Sequence, residues 1–422
     1  MTVDKRSLIP YLWKKLAGVF DKNKKTDFDS LPDEIIIDIL SRLPADFIFE
    51  CRRVCKRWQA LTRTTFFVEL QLVRATPTIL TQCFTGGDSF CINFNNSKQT
   101  FCIAEKKGHL LRMRLLDCVL PEEKSTLYLP RILQPECWIR SSCNGLILGN
   151  KTTLDSKKKF KFEYFICNPI TLEEITFPKP WDKGDICGFY FHPMTKEYRI
   201  LSTYLRGDCY QYVIINLPTF SRRELNDRFY CRPRSIYYDT PIIASGNLHW
   251  MVEHSYSSQN LQLKTKFDNN PCANSILRFN IHTESVETMP HPGYHHCRGP
   301  ICGGMQLLEG GGKLSMCHMR KGFVDVWILV DYSIWQWIRT YRFNLRSAME
   351  FSGYTLKDKI TDFIWIQNDQ LLLYDTSIGG LFVYNLNRST LRKITLPKTC
   401  RHYYKFYAHT KSLVSLRKFR AD

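Results

Sequence analysis

The chain has 422 residues, 44% of them hydrophobic and 14% aromatic; this composition belongs to a folded chain, and the length allows a large core beside a smaller module. Its formal charge of +19 favours acidic partners without bearing on fold. The lysines and arginines are scattered along the chain instead of clustered on one element, which argues against a nucleic-acid binder, and no apolar run is long enough to cross a bilayer.

Residues 1–27 read as a flexible basic leader. Leu8, Leu12, Leu16 and Val19 recur at helical spacing beside Lys14 and Lys15, a weak amphipathic pattern whose plainer reading is one nascent helix. Lys22-Asn23-Lys24-Lys25 follows as a solvated linker. A helix is predicted next: Ser30 and Asp33 have the spacing of a capping box, with Pro32 in the first turn. Ile35, Ile36, Ile39, Leu40 and Leu43 then fall within an arc of roughly 140°. Glu34, Asp38, Ser41 and Arg42 take the other side, and Ile37 lies outside the arc. Pro44 ends this helix. A second helical pattern runs from Phe47 through Cys51, Val54, Cys55, Trp58 and Leu61, with Arg52, Arg53, Lys56 and Arg57 opposite. About forty residues thus carry two or three short helices with more apolar surface than they can hide by themselves, so some of it should meet a partner.

Leu31-Pro32-Asp33-Glu34-Ile35, Ile39-Leu40-Ser41-Arg42-Leu43-Pro44 and Arg52-Arg53-Val54-Cys55-Lys56-Arg57-Trp58, in this order and spacing, closely resemble the F-box of plant F-box proteins. In that family the module docks on a Skp-type adaptor, which connects through a cullin to a RING subunit and a ubiquitin-conjugating enzyme. Carried over by position, the resemblance makes Leu31, Pro32, Ile35, Ile39, Leu43, Pro44, Val54, Cys55 and Trp58 the adaptor-facing and core positions, without dividing the two. Phe47-Ile48-Phe49-Glu50-Cys51 departs from the family pattern: it is bulkier, and Glu50 stands where a base is common. The module is placed at residues 28–70.

Past residue 70 the spacing changes to short β-branched and aromatic runs cut by Gly, Asn, Asp and Pro. An apolar strand ending in Asn or Asp, with Thr or Ser soon after, recurs at Asn168, Asn216, Asn280, Asp331 and Asn385. Successive markers stand about 50 residues apart, with one interval of about 64, as in propeller blades. The side chain of Asn or Asp suits a tight turn, because it can bond the backbone two residues on and tolerates left-handed geometry. Partner strands begin after Asn144-Gly145, Ser245-Gly246 and Asn368-Asp369, so each unit supplies about four strands. Ser142-Cys143-Asn144-Gly145-Leu146-Ile147, Cys167-Asn168-Pro169-Ile170-Thr171, Phe191-His192-Pro193, Gly246-Asn247-Leu248-His249-Trp250 and Leu413-Val414-Ser415-Leu416 resemble the plant F-box-associated domain, a kelch-like β-propeller. The expected fold is α+β multidomain: a small N-terminal all-α F-box, then a large all-β propeller over residues 71–420.

The seventeen cysteines are odd in number and include no Cys-x-x-Cys pair, and no secretory leader opens the chain. Reduced core thiols in the cytoplasm or nucleus fit best. Gly310-Gly311-Gly312-Lys313 lacks the spacing of a phosphate loop and reads as a hairpin. His291, His295, His296, Cys297 and Cys302 are the densest set of possible ligands, but a polar surface loop is their plainer reading. His249 and Trp250 could face a ligand, although their strand reads as core. Trp327, Trp335, Trp337 and Trp365 lie in expected strands, so packing between blades outweighs base stacking.

No catalytic residue, cofactor or metal site is expected. The resemblance implies a substrate receptor of a Skp–cullin–F-box ubiquitin ligase, whose propeller holds an unknown protein target, acidic or phosphorylated in keeping with the charge. The alternatives are a non-degradative Skp-binding scaffold and a basic propeller that binds nucleic acid.

Overall fold

The computed structural model describes residues 31–419 except 84–88, 96–97, 108–109, 118–124, 130–136, 155–159, 179–183, 208, 218, 230, 235–239, 254–270, 294–303, 356–360, 377 and 395–403. The expected leader and Ser30 lie outside the described residues. Four short helices come first: α1 (Asp33–Ser41), α2 (Ala45–Cys51), α3 (Lys56–Leu61) and α4 (Thr65–Arg74). Pro32 and Pro44 both serve as N-caps, and their carbonyls accept the Ile36 and Ile48 N–H groups at 3.2 and 3.1 Å. Proline suits this place because its φ is preset. Pro44 thus opens α2 as well as closing α1. No side chain caps α1; Asp33, expected in a capping box, pairs with Arg57 at 2.7 Å.

The pattern from Phe47 to Leu61 is carried by two helices, α2 and α3, which with α1 make three. Cys55 is extended at φ −152° and its sulfur accepts the Trp58 N–H at 3.4 Å, so the chain breaks and restarts at that residue. The expected boundary at residue 70 falls inside α4, which runs to Arg74 because Thr64 caps it and Phe67 and Gln71 are buried.

The strands are β1–β5 (Pro77–Cys83, Ser89–Asn95, Lys98–Lys107, Leu110–Asp117, Ser125–Leu129), β6–β9 (Cys137–Cys143, Leu146–Leu154, Phe160–Asn168, Glu173–Pro178) and β10–β13 (Asp185–His192, Glu197–Arg206, Cys209–Asn216, Arg222–Phe229). Then come β14–β18 (Arg232–Pro233, Ile242–Ala244, Asn247–Glu253, Ile276–Asn280, Ser285–Met289), β19–β22 (Met305–Gly310, Lys313–Arg320, Phe323–Asp331, Gln336–Asn344), β23–β26 (Thr361–Gln367, Gln370–Asp375, Gly380–Asn385, Thr390–Ile394) and β27 (Tyr404–Thr410). They form five sheets packed as a β-propeller. The largest sheet holds two four-stranded meanders, β19–β22 and β23–β26, joined by the parallel pairing of Gly310 with Ile366. Among the described residues of this region one α-helix, α5 (Leu345–Phe351), stands between β22 and β23, and short 3-10 turns lie at Pro271–Asn274 and Arg417–Phe419.

The ring closes through β27, which pairs antiparallel with β1 from Pro77–Thr410 to Cys83–Tyr404 and touches β6 and β23 on either side. Further contacts run from β6 to β10, from β15 and β16 to β19, and from β19 to β23. The Trp250 indole N–H, donating to the Cys187 carbonyl at 3.1 Å, joins β16 to β10. Strands covered on both faces by neighbouring sheets are buried almost throughout, as in β10, β24 and β25, and their sequences are continuous apolar runs. Outer strands such as β22 and β26 are largely exposed and carry Arg339, Arg342, Arg392 and Lys393. Charge on an outer edge discourages pairing with another chain, and this is where part of the scattered positive charge sits.

The Asn and Asp markers end the third strand of their meanders. Asn168, Asn280, Asp331 and Asn385 accept the N–H two residues on, at 2.8, 2.9, 2.7 and 3.1 Å. Asn216 does not: its Oδ1 is buried without a hydrogen bond, and its Nδ2 donates to Ser221 Oγ at 3.3 Å. The left-handed residue in these turns is the one four positions after the marker, namely Leu172, Phe220, Glu284, Trp335 and Ser389. Between first and second strands, Asn144-Gly145, Ser245-Gly246, Asn368-Asp369 and Gly311-Gly312 are left-handed at both positions, the pattern of a two-residue type I′ hairpin.

Candidate functional site

Two surfaces are candidates for function, one on the helices and one on the propeller. The helices share a core of Ile36, Leu40, Ala45, Ile48, Cys51, Trp58 and Phe67 with two residues of the propeller region, Ile170 and Leu413. This core satisfies most of the apolar pattern. Trp58 is 8% exposed and belongs inside it, while Leu31, Ile39, Leu43, Val54 and Cys55 are half-buried at its margin. Pro32 and Pro44 are exposed, and Ile35 is 46% exposed although it stands in the predicted apolar arc. The nine residues named from the sequence therefore divide into one core residue, five at the margin and three on the surface.

The polar side of α1 also differs from expectation. Ser41 is buried: its hydroxyl donates to the Asp38 carbonyl at 3.1 Å and accepts from Arg74 at 2.5 Å. Arg42 and Arg74 hydrogen-bond to the Asp38 carboxyl and hold it below its ordinary range. Ile37, outside the arc, is half-buried and packs on the helical core. Within the unusual Phe47–Cys51 segment, Ile48 and Cys51 enter the core and Glu50 pairs with Arg53 at 3.5 Å on the surface. Burial pushes the Cys51 thiol up to about 12, so it is no nucleophile at neutral pH.

The helical core continues into the propeller. The Lys411 ammonium lies 3.6 Å from the Asp46 carboxylate, both nearly buried, and Gln71 Nε2 donates to the Lys411 carbonyl at 3.5 Å. The segment after β27 is fastened in turn, because Asn168 Nδ2 donates to the Ser412 and Val414 carbonyls at 3.1 and 2.8 Å. Gly145 packs so tightly that a Cβ there would collide with Ser412. Ile170 and Leu413 stand in motifs quoted from the sequence, but nothing local marks them as packing partners of helices far away in the chain.

On the propeller, His249 and Trp250 are core residues, 0% and 2% exposed. The His249 ring bonds the Ile242 carbonyl at 3.2 Å and the Tyr332 hydroxyl at 3.3 Å. Gly311-Gly312 is the expected hairpin turn, between β19 and β20. His295, His296, Cys297 and Cys302 lie outside the described residues. His291 is buried, not on a polar surface loop, and its Nδ1–H donates to the Pro292 carbonyl at 2.8 Å. Among the described residues, no three His, Cys, Asp or Glu side chains are placed to hold a metal. Trp327 and Trp337 are half-buried strand residues, whereas Trp335 belongs to the turn between β21 and β22. With Ile334, Pro290 and His291 they line a pocket of about 280 Å³ in the seam beside β18.

Residues 28–68 match the F-box-like family model, and residues 90–415 match that of the F-box associated beta propeller domain. The chain is 23% identical to F-box protein DOR of Arabidopsis thaliana over 401 residues, 88% of this chain and 89% of that protein. It is 27% identical over 387 residues to a second F-box protein of that plant, covering 89% and 86%. F-box only protein 12 of the same species matches over 47 residues at 47% identity, 11% and 12% of the two chains. The chain belongs to the plant F-box proteins that carry an F-box-associated β-propeller. Proteins of this family are typically adaptor subunits and not catalysts, and F-box domains generally bind a Skp-type adaptor.

Proposed function

We propose that this chain is the substrate-recognition subunit of a Skp–cullin–F-box ubiquitin ligase, working in the cytoplasm or nucleus. The helices hold the Skp-type adaptor, and through it the cullin and RING subunit, while the propeller holds a protein target. The chain itself makes and breaks no bonds. It accelerates transfer by proximity, raising the local concentration of target lysines beside the charged conjugating enzyme.

The observation that carries this reading is Ile35, an isoleucine 46% exposed on a helix whose core is already complete without it. With exposed Pro32 and the half-buried margin of Leu31 and Ile39, it forms an apolar face that an adaptor helix can cover. The free thiols of Cys51, Cys143 and Cys167 are at home in a reducing compartment. In a pull-down with a Skp-type adaptor, the wild-type chain is expected to bind and Ile35→Asp to lose at least ten-fold in affinity at an unchanged urea midpoint. Trp58→Ala should instead lower stability by about 3–5 kcal/mol, because it empties core volume. Equal binding by Ile35→Asp would remove the α1 face from the docking site, and a wild type that ignores the adaptor would refute the reading.

A further inference from the structure

We propose that the pocket formed by Trp327, Trp335, Trp337 and Ile334 is the target-docking site, taking an extended protein segment with a bulky apolar side chain beside acidic residues. This rests on the receptor reading above and names where the propeller does its part. At about 280 Å³ the pocket lies at the small end of the range of roughly 300–1,000 Å³ usual for cofactors and drug-sized ligands. It suits one or two inserted side chains. Tryptophans are the side chains most enriched where binding energy concentrates at protein interfaces, and here three converge. Ile334 is 67% exposed at the rim, where the fold derives little from it.

Trp335 adds an independent observation. Its φ is +53°, a conformation in which a bulky side chain is strained and Gly or Asn would be at ease. The other turns of this kind carry Leu172, Phe220, Glu284 and Ser389 in the same slot, so the slot has no requirement for an indole. In this turn the strain is tolerated while the ring is presented to the pocket.

The charge beside the pocket sets the chemistry of the occupant. The lining carries no carboxylate, and guanidinium groups stand over its rings: Arg278 is 5.7 Å from the Trp335 centroid and Arg339 is 5.6 Å from that of Trp327. Arg278 is matched by Glu287 at 3.2 Å, but Arg339 shares the Asp325 carboxylate with Arg342, at 3.5 and 3.8 Å. Asp331 bonds the N–H and hydroxyl of Ser333 within its own turn. With one carboxylate between them, Arg339, 45% exposed at its side chain, and Arg342 keep a net positive charge that an acid from outside can meet. These guanidiniums disfavour a cationic occupant, and the net charge of +19 draws acidic partners.

The test is selection of a phage-displayed random twelve-residue peptide library on the full chain, followed by fluorescence anisotropy with the enriched peptides. Enrichment of Phe, Trp or Leu flanked by Asp or Glu is expected, with affinity falling at least ten-fold in Ile334→Asp and in Trp335→Gly. Trp335→Gly relieves the backbone but also removes an indole packed on the blade core. Ile334→Asp, at a residue 67% exposed, is therefore the variant whose urea midpoint should match wild type and whose lost binding cannot be put down to unfolding. Arg339→Glu should weaken acidic peptides and favour variants with Lys in their place. The proposal is overturned if no peptide is enriched, if the enriched peptides bind Trp335→Gly as they bind wild type, or if Trp335 governs the affinity of a single-stranded oligonucleotide instead. Adaptor pull-down on the same variants separates the two readings, because Ile334→Asp should keep the adaptor while losing the peptide.

Discussion

Buried histidines are where single residues make this protein sensitive to pH. Burial holds the His249 ring at about 4 and the His409 ring at about 3, against an ordinary 6.5. In the folded state both stay neutral over pH 4.5–6.5, while in the unfolded chain they take up protons as pH falls below 6.5. The unfolded state then binds more protons, so stability is fully present above pH 6.5 and falls with pH by about 1.4 kcal/mol per unit for each histidine. The urea midpoint should drop steadily from pH 6.5 to 4.5, and His249→Gln should show a shallower drop than wild type, from a lower value at pH 7. Equal slopes in the two proteins would mean that His249 protonates in the folded state. His249 was legible in the sequence only as part of a strand; its burial against Tyr332 depends on a neighbouring sheet.

At the scale of elements, the marker turns were legible because their chemistry is local. An Asn two residues before the N–H it accepts needs no tertiary context, and four of the five markers do what the spacing predicts. Asn216 fails because the residue two positions on is Pro218, which has no N–H to donate, and Oδ1 is left without a hydrogen bond. Asn385→Ala should therefore destabilise by about 1–2 kcal/mol, having removed acceptance from both the Asn387 and Arg388 N–H groups. Asn216→Ala should stay within about 0.5 kcal/mol of wild type. Denaturant curves of the two variants side by side provide the comparison, and equal losses would show that the side-chain bond is not what steadies these turns. The helical stretch was less legible: apolar recurrence continued across Cys55, and only the extended backbone there shows that the periodicity spans two helices.

At the scale of the whole molecule, helices and propeller share one core through Ile170, Leu413 and the Asp46–Lys411 pair. The helical module is therefore not a bead on a flexible string, and the adaptor proposed to dock on α1 would have a set orientation to the propeller. Leu413→Ala, at a residue 1% exposed, should cost about 2–5 kcal/mol. Wild type should unfold in one transition by both far-ultraviolet circular dichroism and tryptophan fluorescence. The variant should shift both probes, or split them if the shared core is what couples the parts. A wild type that already unfolds in two steps would show that the coupling is weak.

Residue types and spacings by themselves determined the helical module, the change to short strands after it, the turns that divide the meanders and the family to which both parts belong. These are short-range matters, since a turn or an amphipathic helix is specified by residues within a few positions of one another. Three things were decided only by tertiary structure: closure of the ring by β27 against β1, the exposure of Ile35 beside the burial of Ser41, and the meeting of three tryptophans with Pro290 and His291. Each depends on which distant segment covers a given face, and no local pattern carries that information.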